Sequence, residues 1–200
     1  MPVLGITGGI ACGKSTFRDL LVRRIQAESF DADACVSELL EGDQSVREQI
    51  LEKVHPRAYN SEGRPDRTLL RELIYADVEK KRLLESILHP IVRDRWLKRA
   101  QEAAAAKKFL VVDIPLLFET NAEACFDRVV TVGCSAATQL HRLSKRLGMT
   151  REISKKIIAS QMPISIKISR SDHVIWNDGS LDCLVAQTEF LSRYLHDRYR

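Results

Sequence analysis

The sequence predicts an α/β fold, a doubly wound parallel sheet, and three features carry that expectation. A short apolar run, PVLGIT, stops at paired glycines and gives way to a helical pattern. Two later apolar runs, at 109–112 and 129–132, are continuous rather than alternating, as suits strands covered on both faces. Helical segments separate the runs, which is the order from which parallel sheets are built.

In chain order, PVLGIT is the first buried strand. Phe17, Leu20, Leu21 and Ile25 then fall at helical spacing with charges between them, predicting a helix over 14–28. SFDAD reads as a short second strand ending at 31–33. The stretch from 34 to about 106 is helical in pattern, punctuated by EGDQS and YNSEGRPD. Gly63 and Pro65 mark the second of these as a surface loop. Asp66 and Asp77 are expected helix caps, and Pro90 is expected to break a helix or start one. KFLVVD is a strand stopping at Asp113, and RVVTVG is another. Basic helices are expected over 136–168, a short strand over 173–176, a turn at WNDGS, and a closing helix from about 181.

Composition narrows the class. Two hundred residues suit one compact domain with room for a small inserted subdomain. An apolar fraction of 44% and a charged fraction of 29% are those of an ordinary soluble protein. No apolar run approaches the roughly 20 residues that span a bilayer. The N-terminus lacks a basic segment ahead of an apolar one, so a cytoplasmic protein without a signal peptide is expected. Five scattered cysteines without a CxxC pair argue against a disulfide framework or a zinc site. A net charge of +4 is too mild for a dedicated nucleic-acid binder but suits a cleft for anionic small molecules. The basic residues cluster at Arg142, Lys145 and Arg146, then at Lys155, Lys156, Lys167 and Arg170.

The chemistry begins in GITGGIACGKST, where Gly8, Gly13, Lys14 and Ser15 satisfy G-x-x-x-x-G-K-[ST]. Glycines let backbone N–H groups converge on phosphate oxygens. The helix that follows points its positive end at the same anion. Lys14 reaches toward the β- and γ-phosphates, and the Ser15 hydroxyl toward Mg²⁺. With a strand before it and an amphipathic helix after it, the loop predicts nucleotide binding on a P-loop NTPase core. A guanine-reading N-K-x-D segment is missing, and the core strand ends in one acid, Asp113, followed by Ile-Pro. Small size and a late basic helical segment instead suit a small-molecule kinase, which needs a closing lid to expel water.

The acceptor side is expected at DAD, where the second strand should end and open α/β sheets bind ligands. In an extended segment Asp31 and Asp33 would share a face, and one of them could orient or deprotonate an acceptor hydroxyl. A helix cap is the plainer alternative. Two rival readings stay open at this point: a kinase of a nucleoside or nucleotide, and a nucleotide-binding switch with no transfer. A pure binder has no need of an acceptor-facing acid.

TGGIACGKST, FDAD, LHPIV, DIPLLFE, QLHRLSKR, SQMP and SDHVIWNDGS together resemble the dephospho-coenzyme A kinase family over nearly the whole chain. The resemblance implies ATP-dependent phosphorylation of the ribose 3′-hydroxyl of dephospho-coenzyme A, giving coenzyme A and ADP, with Mg²⁺. The implied fold is similar to the nucleoside-monophosphate kinases. Its nucleotide-binding core spans 1–33, 89–134 and 172–200, an inserted helical acceptor-binding domain spans 34–88, and a helical lid spans 135–171. Position by position, Asp33 matches the general base and Asp31 its supporting acid. Arg142 and Arg146, four apart on one helix face, match the lid arginines that stabilise the transferring phosphoryl group. Gly8, Gly9, Ile10, Ala11, Cys12, Gly13, Lys14, Ser15 and Thr16 form the ATP loop. Asn177 and Gly179 match the segment approaching adenine, although NDG is also a good turn signal. His89, Pro115, Leu116 and Glu119 fall in motifs on the acceptor side, and a packed histidine is the alternative for His89. Asp113 could hold Mg²⁺ through water. The implied partners are ATP and dephospho-coenzyme A, with no nucleic acid or membrane, in a monomer or weak homo-oligomer.

The chain departs from the family loop at Ala11, which stands for a glycine, and at Cys12, which stands for a serine. Cys12 is expected to lend the loop chiefly its backbone N–H. A thiol beside a helix N-terminus has a lowered pKa, so an alkylating reagent is expected to inactivate the protein, with ATP protecting.

Overall fold

A computed structural model describes residues 2–147 and 150–199, with all side chains in that span except those of Tyr75, Arg146 and Leu147. The strands are β1 (Val3–Gly8), β2 (Glu28–Asp31), β3 (Leu110–Asp113), β4 (Arg128–Gly133) and β5 (His173–Trp176). The helices are α1 (Lys14–Ile25), α2 (Ala32–Gly42), α3 (Gln44–Lys53), α4 (Arg67–Ala76), α5 (Val78–Ala105), α6 (Ala136–Leu147), α7 (Arg151–Ala159), α8 (Ile164–Ser169) and α9 (Leu181–Tyr199). The chain divides into two compact units, Met1–Phe30 with Arg99–Arg200, and Asp31–Lys98.

The first unit is built on a five-stranded sheet in the order β2-β3-β1-β4-β5. β1 pairs in parallel with β3 (Ile6 opposite Asp113) and with β4 (Gly8 opposite Val132), and β4 pairs in parallel with β5 (Gly133 opposite Trp176). Parallel pairing in this register gathers the carboxyl ends of β1, β3, β4 and β5 on one side. That is the side where open α/β sheets take ligands. Leu4 and Ile6 are fully buried, in one cluster with Phe17 and Leu21 of α1 and Leu184, Leu191 and Leu195 of α9. Burying one such side chain contributes about 1.5–3 kcal/mol. A smaller cluster of Leu117, Phe118, Ala122 and Val129 supplies a second centre of burial. The expected continuous strands are therefore present, and their apolar runs are continuous because they are buried along their whole length.

The second unit is helical, and carboxylates start its helices. Asp31 accepts from the Ala34 N–H and Asp43 from the Val46 N–H. Asp66 accepts from the N–H groups of Thr68 and Leu69, and Asp77 from those of Glu79 and Lys80. Each cap is worth about 1 kcal/mol. The caps expected at Asp66 and Asp77 are in place. The loop expected at YNSEGRPD is a tight hairpin closed by a Tyr59–Pro65 bridge, with Asn60 Oδ1 accepting from the N–H groups of Glu62 and Arg64.

Two expectations are corrected. β2 stops at Asp31, and Asp33 already lies in the first turn of α2. Because Asp31 captures the Ala34 N–H, helix begins at once, and strand alternation does not place the two acids on one face. Pro90 neither breaks nor starts a helix: α5 runs through it for 28 residues. An interior proline costs roughly 3 kcal/mol through the lost bond to the carbonyl four residues back. Here that carbonyl belongs to Ser86, which is exposed to water, while Ile87, Leu88, Val92 and Trp96 on either side of Pro90 are buried. Continuous burial outweighs the local penalty. No described helix is long and apolar enough to cross a membrane.

Candidate active site

The loop between β1 and α1 lies at the carboxyl side of the sheet. At Gly8 a Cβ would stand 2.3 Å from the Val132 carbonyl oxygen, so only glycine lets β1 pass β4 there. Gly13 has φ +85° and takes the N-cap position of α1. Among the described residues no side chain caps this helix, and its first turn has no acid, so its leading amides and positive end are available to an anion.

The loop is held from outside. Gln139 Nε2 donates to the Ile10 carbonyl at 2.8 Å, Arg142 Nη1 to the Ala11 carbonyl at 3.2 Å, and Asn177 Nδ2 to the Cys12 carbonyl at 2.8 Å. The Ile10 N–H donates to Gln161 Oε1 at 3.0 Å. In a trans peptide unit the C=O and N–H point oppositely. Fixing the Ile10 and Cys12 carbonyls therefore turns the Ala11 and Gly13 N–H groups away from Gln139 and Asn177. The Cys12 N–H closes a turn onto the Gly9 carbonyl.

Lys14 is ion-paired with Asp113 at the end of β3, and Arg18 Nη1 reaches the other oxygen of the same carboxylate at 3.2 Å. Asp113 is 2% exposed. Ser15 and Thr16 are exposed. Beside the loop opens a cavity of about 410 Å³ whose walls include Thr16, Arg142, Lys145, Asn177, Gly179 and Leu181. Arg142 Nη2 also donates to the Asn177 carbonyl at 2.9 Å, tying α6 to the turn after β5. Asp178 accepts from the Ser135 N–H, which holds its carboxyl below the usual range.

Further along the sheet edge, Thr7 Oγ1 and Lys167 Nζ both donate to the Pro115 carbonyl, at 2.9 and 2.8 Å. Lys167 is fully buried and pairs with Glu119 at 2.9 Å. Glu119 Oε1 also accepts from the Met162 N–H, while its Oε2 is buried with no hydrogen-bond partner among the described residues. Leu116 is half-buried, and its carbonyl accepts from Thr120.

The structure thus brings together Gly8 to Thr16, Asp113, Arg142, Asn177 and Gly179, and separately Pro115, Glu119 and Lys167. Asp31, Asp33 and His89 belong to the other unit. Asp31 caps α2, while Asp33 and His89 are exposed on α2 and α5. The Arg146 side chain lies outside the described residues. Cys12 is fully buried, so the expected attack by an alkylating reagent has no open path in this form. Gln139, Gln161, Arg18 and Lys167 were not among the site residues the sequence pointed to. Gln139 had one available signal, since it precedes Arg142 by three and shares its helix face.

Residues 2–182 match the sequence model of the family described as CoaE, dephospho-CoA kinase. The chain is 38% identical to the dephospho-CoA kinase of Symbiobacterium thermophilum, over 94% of this chain and 79% of that protein. It is also 38% identical to that of Enterococcus faecalis, over 89% of each chain. Among solved structures, the dephospho-CoA kinase of Campylobacter jejuni superposes with a TM-score of 0.74 at 26% identity, covering 99% of this chain and 98% of that one. A shikimate kinase from Bacteroides thetaiotaomicron shares the fold at a TM-score of 0.56 and 12% identity, covering 97% of this chain and 98% of that one.

Proposed function

The chain belongs to the dephospho-CoA kinase family, and on that premise we propose how its residues carry out the family's reaction. In that reaction ATP phosphorylates the ribose 3′-hydroxyl of dephospho-CoA, giving CoA and ADP in the last step of CoA synthesis. The observation that carries the assignment is the loop itself, its carbonyls tied down by Gln139, Arg142 and Asn177 and its helix end left uncapped. An anion site prepared in this way needs no reorganisation when charge develops on the transferring group.

The nucleoside part of ATP enters the cavity at Asn177 and Gly179, and its phosphates follow the loop to Lys14. Lys14 exchanges its bond to Asp113 for the β- and γ-phosphates. Arg142 and Arg146 stabilise the phosphoryl group in transit. Arg142 holds the Ala11 and Asn177 carbonyls through one N–H on each Nη, and the remaining N–H groups of its guanidinium are the ones offered to phosphate oxygens. Asp33 accepts the proton of the ribose hydroxyl, with Asp31 orienting the start of α2. The segment 34–88 takes the acceptor, aided by His89, Pro115, Leu116 and Glu119, and 135–171 is the lid. Phosphoryl transfer asks little covalent chemistry of the protein, so position and charge carry the rate.

Among the described residues no three His, Cys, Asp or Glu side chains form a metal cage. The exposed Ser15 hydroxyl at the head of α1 fits a cation that would arrive on the nucleotide phosphates rather than in a cage of protein ligands. Asp113, already shared by Lys14 and Arg18, fits only through an intervening water. Bound there, with Ser15 as its protein ligand, Mg²⁺ would supply positive charge to offset the charge of the phosphates. We place the protein in the cytoplasm, as a monomer or weak homo-oligomer.

The test is incubation with ATP, Mg²⁺ and dephospho-CoA, with CoA followed by mass spectrometry. Phosphorylation of a nucleoside instead would make it a different small-molecule kinase. Tight ATP binding with no acceptor phosphorylated would make it a switch.

A further inference from the structure

Two thiols meet beneath the phosphate loop. Cys12 lies within the loop and Cys134 directly follows β4, and their sulfurs are 3.3 Å apart. Both residues are fully buried. Gly9 makes the room, since a Cβ there would stand 2.9 Å from Cys12 Sγ. The two sulfurs are chemically unequal. Cys134 donates its S–H to Cys12, and that bond draws the Cys12 thiol pKa down against the opposing effect of burial, with a smaller contribution from the Arg142 charge. The same bond and burial push Cys134 up. Phosphoryl transfer uses neither sulfur.

We propose that Cys12 and Cys134 form a thiol-oxidation site, at which a hydroperoxide converts the pair to an intramolecular disulfide that disables the phosphate loop. With hydrogen peroxide, the Cys12 sulfur attacks one oxygen and the O–O bond breaks. Cys12 becomes a sulfenic acid, and the other oxygen leaves as water with the thiol proton. The Cys134 sulfur then attacks Cys12 Sγ. The S–O bond breaks, the S–S bond forms, and the hydroxyl departs as a second water with the Cys134 proton. Two thiols lose two electrons in all, and one peroxide is reduced to two waters. A dithiol reductant reverses the change by exchange.

Geometry supplies the consequence. A disulfide needs its sulfurs about 2.05 Å apart, so the pair must close from 3.3 Å. The Cys12 carbonyl is held by Asn177 and its neighbour's by Arg142, so the movement pulls against the ties that aim the loop's amides. Misplacement on the order of 1 Å in such a site costs about 10²-fold. Peroxide is nearly as small as water, and the cavity reaches Ala11 and Gly13 on either side of Cys12.

The bond itself is independent of the kinase reading; only its effect on nucleotide rests on that reading. The full chain is treated with hydrogen peroxide, quenched by alkylation, and digested without reductant for peptide mapping. ATP affinity is measured by calorimetry before oxidation, after it, and after dithiothreitol. The expected result is a loss of two hydrogens, a peptide joining Cys12 to Cys134, and ATP binding weakened roughly tenfold or more and restored by the reductant. Cys134→Ser should bind ATP like the parent and form no such peptide. Oxidation of other cysteines with no Cys12–Cys134 peptide overturns the proposal. So does a complete cross-link with unchanged ATP affinity. Mapping of the parent protein decides even if the variant does not fold. A cross-linked, ATP-releasing protein whose reduced form makes no CoA keeps the disulfide and removes the kinase assignment.

Discussion

Replacing Asp113 by asparagine tests how the loop holds its lysine. The carboxylate is 2% exposed and is shared by Lys14 and Arg18, whose side chains are 15% and 18% exposed. Asparagine keeps the shape but leaves two cations facing one neutral amide. Breaking a buried ion pair from one side costs about 3–5 kcal/mol. Lys14 and Arg18 keep some contact with water, so the low end, about 3 kcal/mol, applies. For a chain of this length each kcal/mol moves Tm by about 2–4 °C, so the variant should melt roughly 6–12 °C below the parent. ATP phosphates then supply the missing anion. Added without Mg²⁺, so that metal binding does not enter, ATP should raise Tm more in Asp113→Asn than in the parent and narrow the gap. Circular dichroism melts with and without ATP measure both quantities. A variant melting within about 2 °C of the parent, given that same scale, would mean the shared carboxylate is not a stabilising centre. A gap that ATP leaves unchanged would mean the phosphates do not take its place.

The remaining expectations follow from single residues. Asp33→Asn should lower kcat by about 10²–10⁴, the usual worth of a general base, with ATP affinity nearly intact; a near-normal kcat removes Asp33 from that role. Gln139→Ala leaves the Ile10 carbonyl without its side-chain donor at a cost of about 1–3 kcal/mol. Calorimetry should then show ATP binding weakened roughly tenfold or more, and an unchanged Kd would show that the loop keeps its shape unaided. Burial holds the His173 pKa below its usual value, opposed by Asp172. The unfolded chain therefore takes up the proton first, and stability falls as pH drops through the ordinary histidine range near 6.5. His173→Phe should lose less Tm than the parent between pH 7.5 and 5.5, and equal losses would place the acid sensitivity elsewhere.

The strands were legible because burial on both faces leaves nothing but apolar residues, as in Val111 and Val112 or Val129 and Val130. The caps at Asp66 and Asp77 were legible because a cap acts within three residues of itself. Pro90 misled because a local penalty was weighed without the burial of Leu88 and Val92 on either side of it. At DAD the strand ends within the expected 31–33 and the cap alternative is in place, but the shared face of Asp31 and Asp33 is lost because the bond from the Ala34 N–H to Asp31 starts the helix at once. Family motifs located Arg142 and Asn177. They did not reveal that both bind loop carbonyls, because those bonds span 131 and 165 residues. Helix-face spacing from Arg142 offered one signal for Gln139, but nothing local in SQMP tells a glutamine that grips the Ile10 N–H from one that faces water.

That reach has a consequence for how the protein is made. The loop leaves the ribosome well before the groups that shape it, which arrive with residues 139, 142, 161 and 177. β1 likewise waits for β3 and β4, which flank it in the finished sheet. At about 5–20 residues per second, the nascent chain spends many seconds carrying a nucleotide motif with no nucleotide site. Competence to bind ATP therefore waits on the segment 139–177, so a chain stalled or clipped before residue 177 should leave no half-working fragment to sequester the nucleotide.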